Sequence, residues 1–315
     1  MANENKIIAY KGFDKDFKCR GFQYEVGKTY EMDGNIACCN RGFHACESPM
    51  EVFDYYDMLT SRFAEVEQSG KMDKEADSTK TCSSRIKIKA ELKLADIINL
   101  GVEWLKEITM PSKIETNNSC NKDYSAKIGS SGDSAKIGSS GDYAKIGSSG
   151  SYAKIGSSGD YAQIGSSGNY AKIGSSGYYA KIGSSGDYAK IGSSGFSAQI
   201  GSSGSYAKIG SSGNYAQIGS SGFSAQIGSS GNYAKIGSSG YSAQIGSSGK
   251  DSVIMCAGYN SKAKAAIGSW ITLAEWKMIE DVWKPICVKT EQVDGKRIKA
   301  DTYYKLIDGK FEEVE

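Results

Sequence analysis

Apolar residues recur with a fixed spacing through the middle of the chain. Alanine occupies every ninth position from Ala126 to Ala243, and isoleucine follows each alanine by two residues, which makes 14 copies of one phrase. Lysine or glutamine lies between the two apolar residues, so apolar and polar positions alternate with a period of two. This alternation predicts one β-strand with a single buried face in every copy.

The residues between the predicted strands indicate how the copies are joined. Each copy continues with Gly-Ser-Ser-Gly, which predicts a turn because glycine adopts positive φ and serine bonds to nearby backbone. Such a repeat predicts a mainly β fold, a β-solenoid with only alanine and isoleucine in its thin core. Two copies would complete one coil, giving about seven coils, and a three-sided coil of three copies is the alternative. A flexible Gly/Ser linker is the competing interpretation, but a linker has no need of a constant isoleucine.

Two positions of the phrase vary and are expected to face outward. The position before alanine is usually tyrosine, and where it is serine an aromatic residue generally precedes it, as in Phe196-Ser197. The rings either cover the coil corners or form an exposed ladder for a partner. Stacked lysine and tyrosine could follow a phosphate backbone, whereas the alternative is a solvated face that resists aggregation. The predicted binding residues are Lys127, Lys136, Lys145, Lys154, Lys172, Lys181, Lys190, Lys208, Lys235, Tyr143, Tyr152, Tyr161, Tyr170 and Tyr188.

The charge of the chain is concentrated in the repeats. The whole chain carries a net charge of +2, whereas the block from 124 to 249 holds nine lysines and four aspartates. Solenoids of calcium-binding nonapeptides carry an aspartate in every copy, so four aspartates cannot form a column of calcium sites. We therefore predict a basic solenoid without metal or other cofactor.

The sequences that flank the repeats have ordinary composition. We predict an α+β domain at 1–112, a linker at 113–123, the solenoid at 124–258 and a C-terminal cap at 259–315. The N-terminal domain should contain strands at 6–10, 21–30, 62–66 and 85–94 and helices at 49–58 and 95–110. Ser48 is the expected N-cap of the first helix, and the second helix is expected to cover the open end of the solenoid.

The predicted C-terminal cap contains bulky aromatic residues and two turn signals. Trp270, Trp276 and Trp283 are expected to close the solenoid core. Asp294-Gly295 and Asp308-Gly309 predict two β-hairpin turns.

Candidate chemistry is sparse and lies around the single histidine, His44. Cys46 follows it by two residues and could form a nucleophile pair with it, which makes these two the weak catalytic candidates. Cys38 and Cys39 raise the question of zinc, but their spacing to His44 matches no common zinc finger, and neighbouring residues on a strand point apart. The eight cysteines show no paired spacing, which favours a reduced, cytoplasmic protein, and no segment is apolar enough to span a membrane.

Several motifs at the two ends carry a resemblance. Tyr10-Lys-Gly-Phe13, the segment 19–30, Gly42-Phe-His-Ala-Cys46 and the tail segment 293–303 resemble a family of uncharacterised phage and prophage proteins that pair this N-terminal domain with Gly-Ser-rich repeats. The resemblance implies a mobile-element origin and a bacterial host, and it implies no activity. The segment around His44 is also weakly similar to the strand-helix-strand unit of ADP-ribosyltransferases, although none of their catalytic residues can be placed.

These observations favour a non-enzymatic binding protein. We expect the solenoid to occupy a macromolecular partner, a host protein or nucleoprotein complex, with nucleic acid contacted through the lysines and tyrosines. By analogy alone, the partner would belong to a host defence system such as a CRISPR nuclease. The alternatives are a small enzyme at 1–112, either ADP-ribosyltransferase-like or with Cys/His chemistry, and a structural or self-assembling virion component, for which homo-oligomers would be expected.

Overall fold

The structure is a computed structural model that describes residues 6–75, 78–109 and 119–314. The chain divides into two units, Met1–Trp104 and Leu105–Glu315. Residues 113–118 of the predicted linker lie outside the described residues, and the structure has a strand that begins at Ser119, inside the segment predicted as linker.

The N-terminal unit is built on one antiparallel sheet with the order β4-β7-β5-β1-β6. Because β6 also pairs with β7, the sheet closes on itself around a core that includes Phe13, Phe43 and Ile86. The elements are β1 (Ile7–Phe13), β2 (Lys18–Cys19), β3 (Phe22–Gln23), β4 (Thr29–Glu31), β5 (Phe43–Cys46), a 3-10 helix (Pro49–Asp54), β6 (Arg62–Lys74), β7 (Lys80–Leu92) and α1 (Leu94–Ile108).

Most predicted elements of this unit are confirmed, and two differ. The predicted strand 21–30 is two short strands separated by a loop. The predicted helix 49–58 is a 3-10 helix of six residues, and Ser48 precedes it without forming a side-chain cap hydrogen bond. A turn this short buries its apolar residues against the sheet and does not need a cap to hold it.

The repeats form short parallel strands, one in each copy. The first members are β8 (Ser119–Asn121), β9 (Lys127–Ser130), β10 (Lys136–Ser139), β11 (Lys145–Ser148), β12 (Lys154–Ser157), β13 (Gln163–Ser166), β14 (Lys172–Ser175), β15 (Lys181–Ser184) and β16 (Lys190–Ser193). The series continues through β17 (Gln199–Ser202), β18 (Lys208–Ser211), β19 (Gln217–Ser220), β20 (Gln226–Ser229), β21 (Lys235–Ser238), β22 (Gln244–Ser247), β23 (Val253–Cys256) and β24 (Lys262–Ala265).

These strands alternate between two sheets, so the solenoid has two sides. Even-numbered strands form one sheet, which we call the even sheet, and odd-numbered strands form the odd sheet. Within each sheet a residue pairs with the residue 18 positions later, as Ile155 pairs with Ile173. The 18-residue coil is therefore confirmed, the solenoid has about eight turns, and the three-sided alternative is wrong.

The strand within each copy lies later than the alternation of alanine and isoleucine suggested. It consists of Lys/Gln-Ile-Gly-Ser, so the first glycine and serine belong to the strand and not to the turn. Isoleucine and this serine point inward, and the Ser157 and Ser175 side chains are fully buried. The expectation of an alanine and isoleucine core is therefore incomplete, since a column of buried serines lies beside the isoleucines.

The corners do not use glycine in the way that the sequence predicted. No repeat glycine has positive φ; the residue before alanine does, for example Tyr143 at 58° and Tyr161 at 57°. Left-handed backbone is unfavourable for tyrosine. It is stabilised here because its N–H donates to the next coil, as Tyr143 N does to Asp160 O at 2.8 Å.

The second glycine of each corner is required by close packing. A Cβ atom placed on Gly168 would lie 2.0 Å from the carbonyl oxygen of Gly150, the equivalent residue one coil earlier. The same contact recurs along both edges, so a side chain at this position would push the coils apart. By contrast, Gly165 lies on a strand of the odd sheet, and a Cβ atom there would meet nothing within 4 Å.

Two antiparallel hairpins extend the sheets at the C-terminal end. β25 (Trp270–Ile279) and β26 (Val282–Gln292) continue the odd sheet, and β27 (Tyr303–Ile307) and β28 (Lys310–Val314) continue the even sheet. Asp308-Gly309 forms the predicted hairpin turn, and both residues have positive φ. Asp294-Gly295 does not: it lies in a turn between the hairpins, where the Asp294 carboxylate accepts three backbone N–H bonds.

The tryptophans do not close the core. Trp270 and Trp283 are exposed, and Trp276 is half-buried with its indole N–H donating to Ala257 O. Smaller side chains complete the core instead, among them Leu273, Val293, Ile298, Tyr304 and Leu306. All of these side chains are smaller than that of tryptophan and fit the narrow space between the two sheets.

The end of helix α1, from Leu105 onward, belongs to the second unit. Its last turn lies on the face of the even sheet, because a Cβ atom on Gly156 would fall 3.2 Å from the Leu105 carbonyl oxygen and 2.5 Å from Thr109 Oγ1. Leu105 and Thr109 are both buried. A glycine on the outer face of a strand can therefore accept helix backbone at close range.

The two kinds of glycine give a matched test of this packing. Gly168→Ala should lower the midpoint of urea unfolding, because the added methyl group meets backbone. The free energy of unfolding should fall by about 1–3 kcal/mol or more. Gly165→Ala makes the same chemical change in open space. Its free energy of unfolding should stay unchanged or rise by up to about 1 kcal/mol. Equal shifts for both variants, measured by circular dichroism, would contradict the account.

Candidate binding face and N-terminal pocket

The predicted lysines do not form one face. Four of them lie on the odd sheet and are exposed, namely Lys127, Lys145, Lys181 and Lys235. The other five lie on the even sheet and are half-buried or buried, namely Lys136, Lys154, Lys172, Lys190 and Lys208. All nine alternate with the inward isoleucine and serine, but they are divided between two sheets and differ in exposure, so they do not form the single face that the sequence suggested.

The outer surface of the odd sheet is a long shallow trough of about 1310 Å³. Its floor is the row of glycines from Gly129 to Gly237, at each of which a Cβ atom would meet nothing within 4 Å. Its rim on one side is a row of exposed lysine and glutamine, in the order Lys127, Lys145, Gln163, Lys181, Gln199, Gln217 and Lys235. The trough thus combines an open backbone floor with a positively charged edge.

Aromatic rings form a continuous ladder along each edge of the solenoid. The first ladder contains Tyr124, Tyr143, Tyr161, Tyr179, Phe196, Tyr215 and Tyr233. The second contains Tyr152, Tyr170, Tyr188, Tyr206, Phe223, Tyr241, Tyr259 and Trp283. Most neighbouring tyrosines are nearly parallel, as Tyr152 and Tyr170 are, with ring centroids 4.9 Å apart, whereas Tyr124 and Tyr143 are tilted by 48°.

The shifted aromatic residues stay in register with these ladders. Phe196 precedes Ser197 and still packs against Tyr215 at 5.1 Å between centroids, and Phe223 packs against Tyr241 at 5.0 Å. The predicted binding tyrosines are all more than 40% exposed. The rings therefore do both things that the sequence left open: they stack over the corners and they present an aromatic surface to solvent.

The N-terminal unit contains a separate pocket of about 880 Å³. Lys11 from β1, Cys19 from β2, His44 and Cys46 from β5, and Tyr56 all line it. Cys19 Sγ lies 3.1 Å from the Tyr56 hydroxyl oxygen. Gly12 is needed for this arrangement, because a Cβ atom there would lie 2.3 Å from the Tyr56 ring.

Lys11 is the most unusual group in the pocket. Its side chain is 5% exposed, and its ammonium donates to the His44 carbonyl oxygen at 2.9 Å. Burial lowers the pKa of Lys11, and the neighbouring Cys19 thiol opposes that shift. Burial also lowers the pKa of His44, and the positive charges of Lys11 and Lys80 add to the effect, so the imidazole is neutral at neutral pH.

His44 meets Cys38 and Cys39, which the sequence already placed near it, and Cys82, which the sequence did not indicate. Its Nε2 accepts a hydrogen bond from the Cys39 N–H at 3.0 Å. Its imidazole also lies with the thiols of Cys38 and Cys82, and the three ligand atoms are within 4.8 Å of one another. Cys46, the predicted nucleophile, also lines the pocket but is only 3% exposed.

Cys82 is the residue that sequence reasoning missed. It lies directly opposite His44 in the antiparallel pairing of β5 with β7, although 38 positions separate them in the chain. Cys38 lies in the turn closed by the Ala37–Arg41 bridge and not on the strand that the sequence predicts. Only the register of β5 with β7 brings His44 and Cys82 together, and no local spacing in the sequence indicates this contact.

Comparison with known proteins gives one match. Residues 7–100 match a family described as "Domain of unknown function (DUF7666)", which covers the N-terminal unit and not the repeats. No curated protein and no solved structure matches the chain. Within the described residues, no helix has the length and hydropathy needed to cross a membrane.

The buried amine predicts a specific pH dependence. The folded-state pKa of Lys11 lies below its ordinary value of 10.5, so between the two values the unfolded chain holds a proton that the folded chain does not. The unfolding free energy of the wild type, relative to Lys11→Met, should therefore rise as pH increases through that window. Urea unfolding at several pH values from neutral to 10 measures it, with the exposed Lys15→Met as control. A flat difference between wild type and Lys11→Met would contradict the burial of this charge.

Proposed function

We propose that the chain is a non-enzymatic binding protein that lays the odd sheet of its solenoid against an acidic macromolecular partner. The observation that carries the proposal is the trough of the odd sheet, which has a glycine floor beside four exposed lysines. A row of glycines on a strand allows another backbone to approach closely. The lysines on its edge favour a partner with negative charge.

The contrast between the two kinds of glycine supports this use of the face. Corner glycines such as Gly168 are required by the packing of one coil on the next. The glycines of the trough make no such contact, so the fold would tolerate side chains there. On the even sheet, Gly156 shows what such a position can accept, since helix backbone at Leu105 and Lys106 packs directly on it.

The aromatic ladders border the same surface and add a second contact type. Stacked and partly exposed rings can pack against flat groups of a partner, and arginine or a base would suit them. The repeat spacing makes the surface a rigid array, so a long partner would meet the same contacts several times. Avidity of this kind strengthens weak individual contacts without any new chemistry.

The enzyme alternative rests on the N-terminal pocket. His44 and Cys46 both line a pocket large enough for a small molecule, which favours a ligand-binding role for this unit. An ADP-ribosyltransferase-like activity, a phage origin and a defence-directed role all remain predictions, as does self-assembly into a virion component.

Charge reversal on the trough tests the proposal. We expect Lys145→Glu with Lys181→Glu to weaken the captured complex about 10-fold or more, since two attractive contacts become repulsive. The control is Lys277→Glu with Lys289→Glu, which makes the same charge change on the exposed C-terminal hairpin. The measurement is quantitative affinity capture from bacterial lysate with the full chain and both variants, over a salt series, with and without nuclease.

The outcomes are distinct. The proposal expects one set of partners that wild type and control retain, that the trough variant loses and that salt weakens. Loss after nuclease treatment identifies nucleic acid in the complex, and retention identifies a protein. An identical set of captured molecules with the trough variant and the control would overturn the proposal.

A further inference from the structure

We propose that Cys38, His44 and Cys82 form a zinc-binding site in the N-terminal unit. One nitrogen and two sulfur atoms lie within 4.8 Å of one another, although they come from a turn and two strands. This site is independent of the solenoid face and of its proposed partner.

The backbone holds the three side chains in place from separate directions. His44 and Cys82 are register partners in adjacent antiparallel strands, so both side chains leave the same face of the sheet. Cys38 is brought to them by the turn at 37–41, whose two ends are bridged at Ala37 and Arg41. The convergence therefore follows from the strand register and the turn geometry.

Two neighbours fix the turn against the strands. Gly42 has a φ of 143°, and a Cβ atom there would lie 3.0 Å from the Cβ atom of Cys82. Only glycine lets the chain pass this close to the second thiol. On the other side, an Asp73 carboxylate oxygen accepts the Cys38 N–H at 2.8 Å, and Asp73 itself pairs with Cys82 across β6 and β7.

The imidazole presents the nitrogen that a metal needs. Nε2 accepts the Cys39 N–H at 3.0 Å, so this nitrogen carries a lone pair and no proton. A ligand histidine requires this unprotonated nitrogen, and hydrogen bonds from its surroundings normally set the tautomer. An ion would take over the lone pair that the Cys39 N–H now occupies.

The donor set selects the ion. Two thiolates with one imidazole favour zinc over the hard cations magnesium and calcium, which prefer oxygen ligands. Three protein ligands leave a fourth position of a tetrahedral ion to water. Cys82 is fully buried, whereas Cys38 and His44 are half-buried, so the site is sheltered on one side and reachable from the other.

The direct test is metal titration of the reduced, chelator-treated full chain. Zinc is added in competition with a chromophoric chelator, and cobalt is added separately because its visible absorption reports tetrahedral thiolate coordination. We expect one equivalent of each ion to bind. Cys38→Ser and Cys82→Ser should each lower the affinity for zinc. The loss should exceed the roughly 10–100-fold that follows removal of a group that only supports a ligand. Cys19→Ser, in the same unit but outside the cluster, should bind as the wild type does.

Two further readouts keep the test decisive. Cys82 is buried, so its replacement could disturb folding; Cys38 lies in a turn, and circular dichroism of each metal-free variant checks the fold. Zinc should also raise the unfolding temperature of the wild type but not of Cys38→Ser. The site would be overturned if the wild type bound less than one equivalent of zinc. It would also be overturned if Cys38→Ser and Cys82→Ser bound zinc as tightly as the wild type. A Cys38–Cys82 disulfide in the native protein, found by mass spectrometry, with no zinc bound after reduction, would overturn it as well.

Discussion

The solenoid depends on one close contact, the packing of each corner glycine on the carbonyl group of its equivalent one coil earlier. A methyl group at this point would overlap backbone, so the spacing between coils is set by the absence of a side chain. At this spacing the strands pair in parallel with residues 18 positions apart, isoleucine stacks on isoleucine, and tyrosine stacks on tyrosine. The left-handed backbone before each alanine is stabilised by the same spacing, because its N–H reaches the next coil.

The sequence predicted the stacking of the solenoid repeats better than the exposure of their surface residues. Constant isoleucine and the aromatic residue that shifts with serine both predicted features that the structure contains, since each reports a local requirement. The exposure of the lysines could not be predicted, because Lys145 and Lys154 have the same neighbours in sequence and lie on opposite sheets. The positive φ of the tyrosines was also missed, since two glycines in each copy suggested a different corner.

In the N-terminal unit, too, local sequence patterns predicted the elements but not the contacts between them. Periodicity located most strands and helix α1, but the chemistry depends on which residues face each other across the sheet. His44 with Cys46 is visible as a local spacing, whereas His44 with Cys82 exists only through the register of β5 and β7. The pocket around Lys11 likewise joins β1, β2 and β5, which no local motif connects. The long trough therefore lies in the repeats, whereas the histidine and cysteine cluster lies in the N-terminal unit.

Two sheets of almost the same sequence are proposed to have different roles, and lysine labelling compares them directly. Amine-reactive labelling followed by mass spectrometry compares the nine repeat lysines in a single experiment. We expect Lys127, Lys145, Lys181 and Lys235 to be labelled faster than the five lysines on the even sheet. These four should also be the only repeat lysines that are protected when the partner is bound. Equal labelling of all nine, or protection confined to the even sheet, would contradict these expectations.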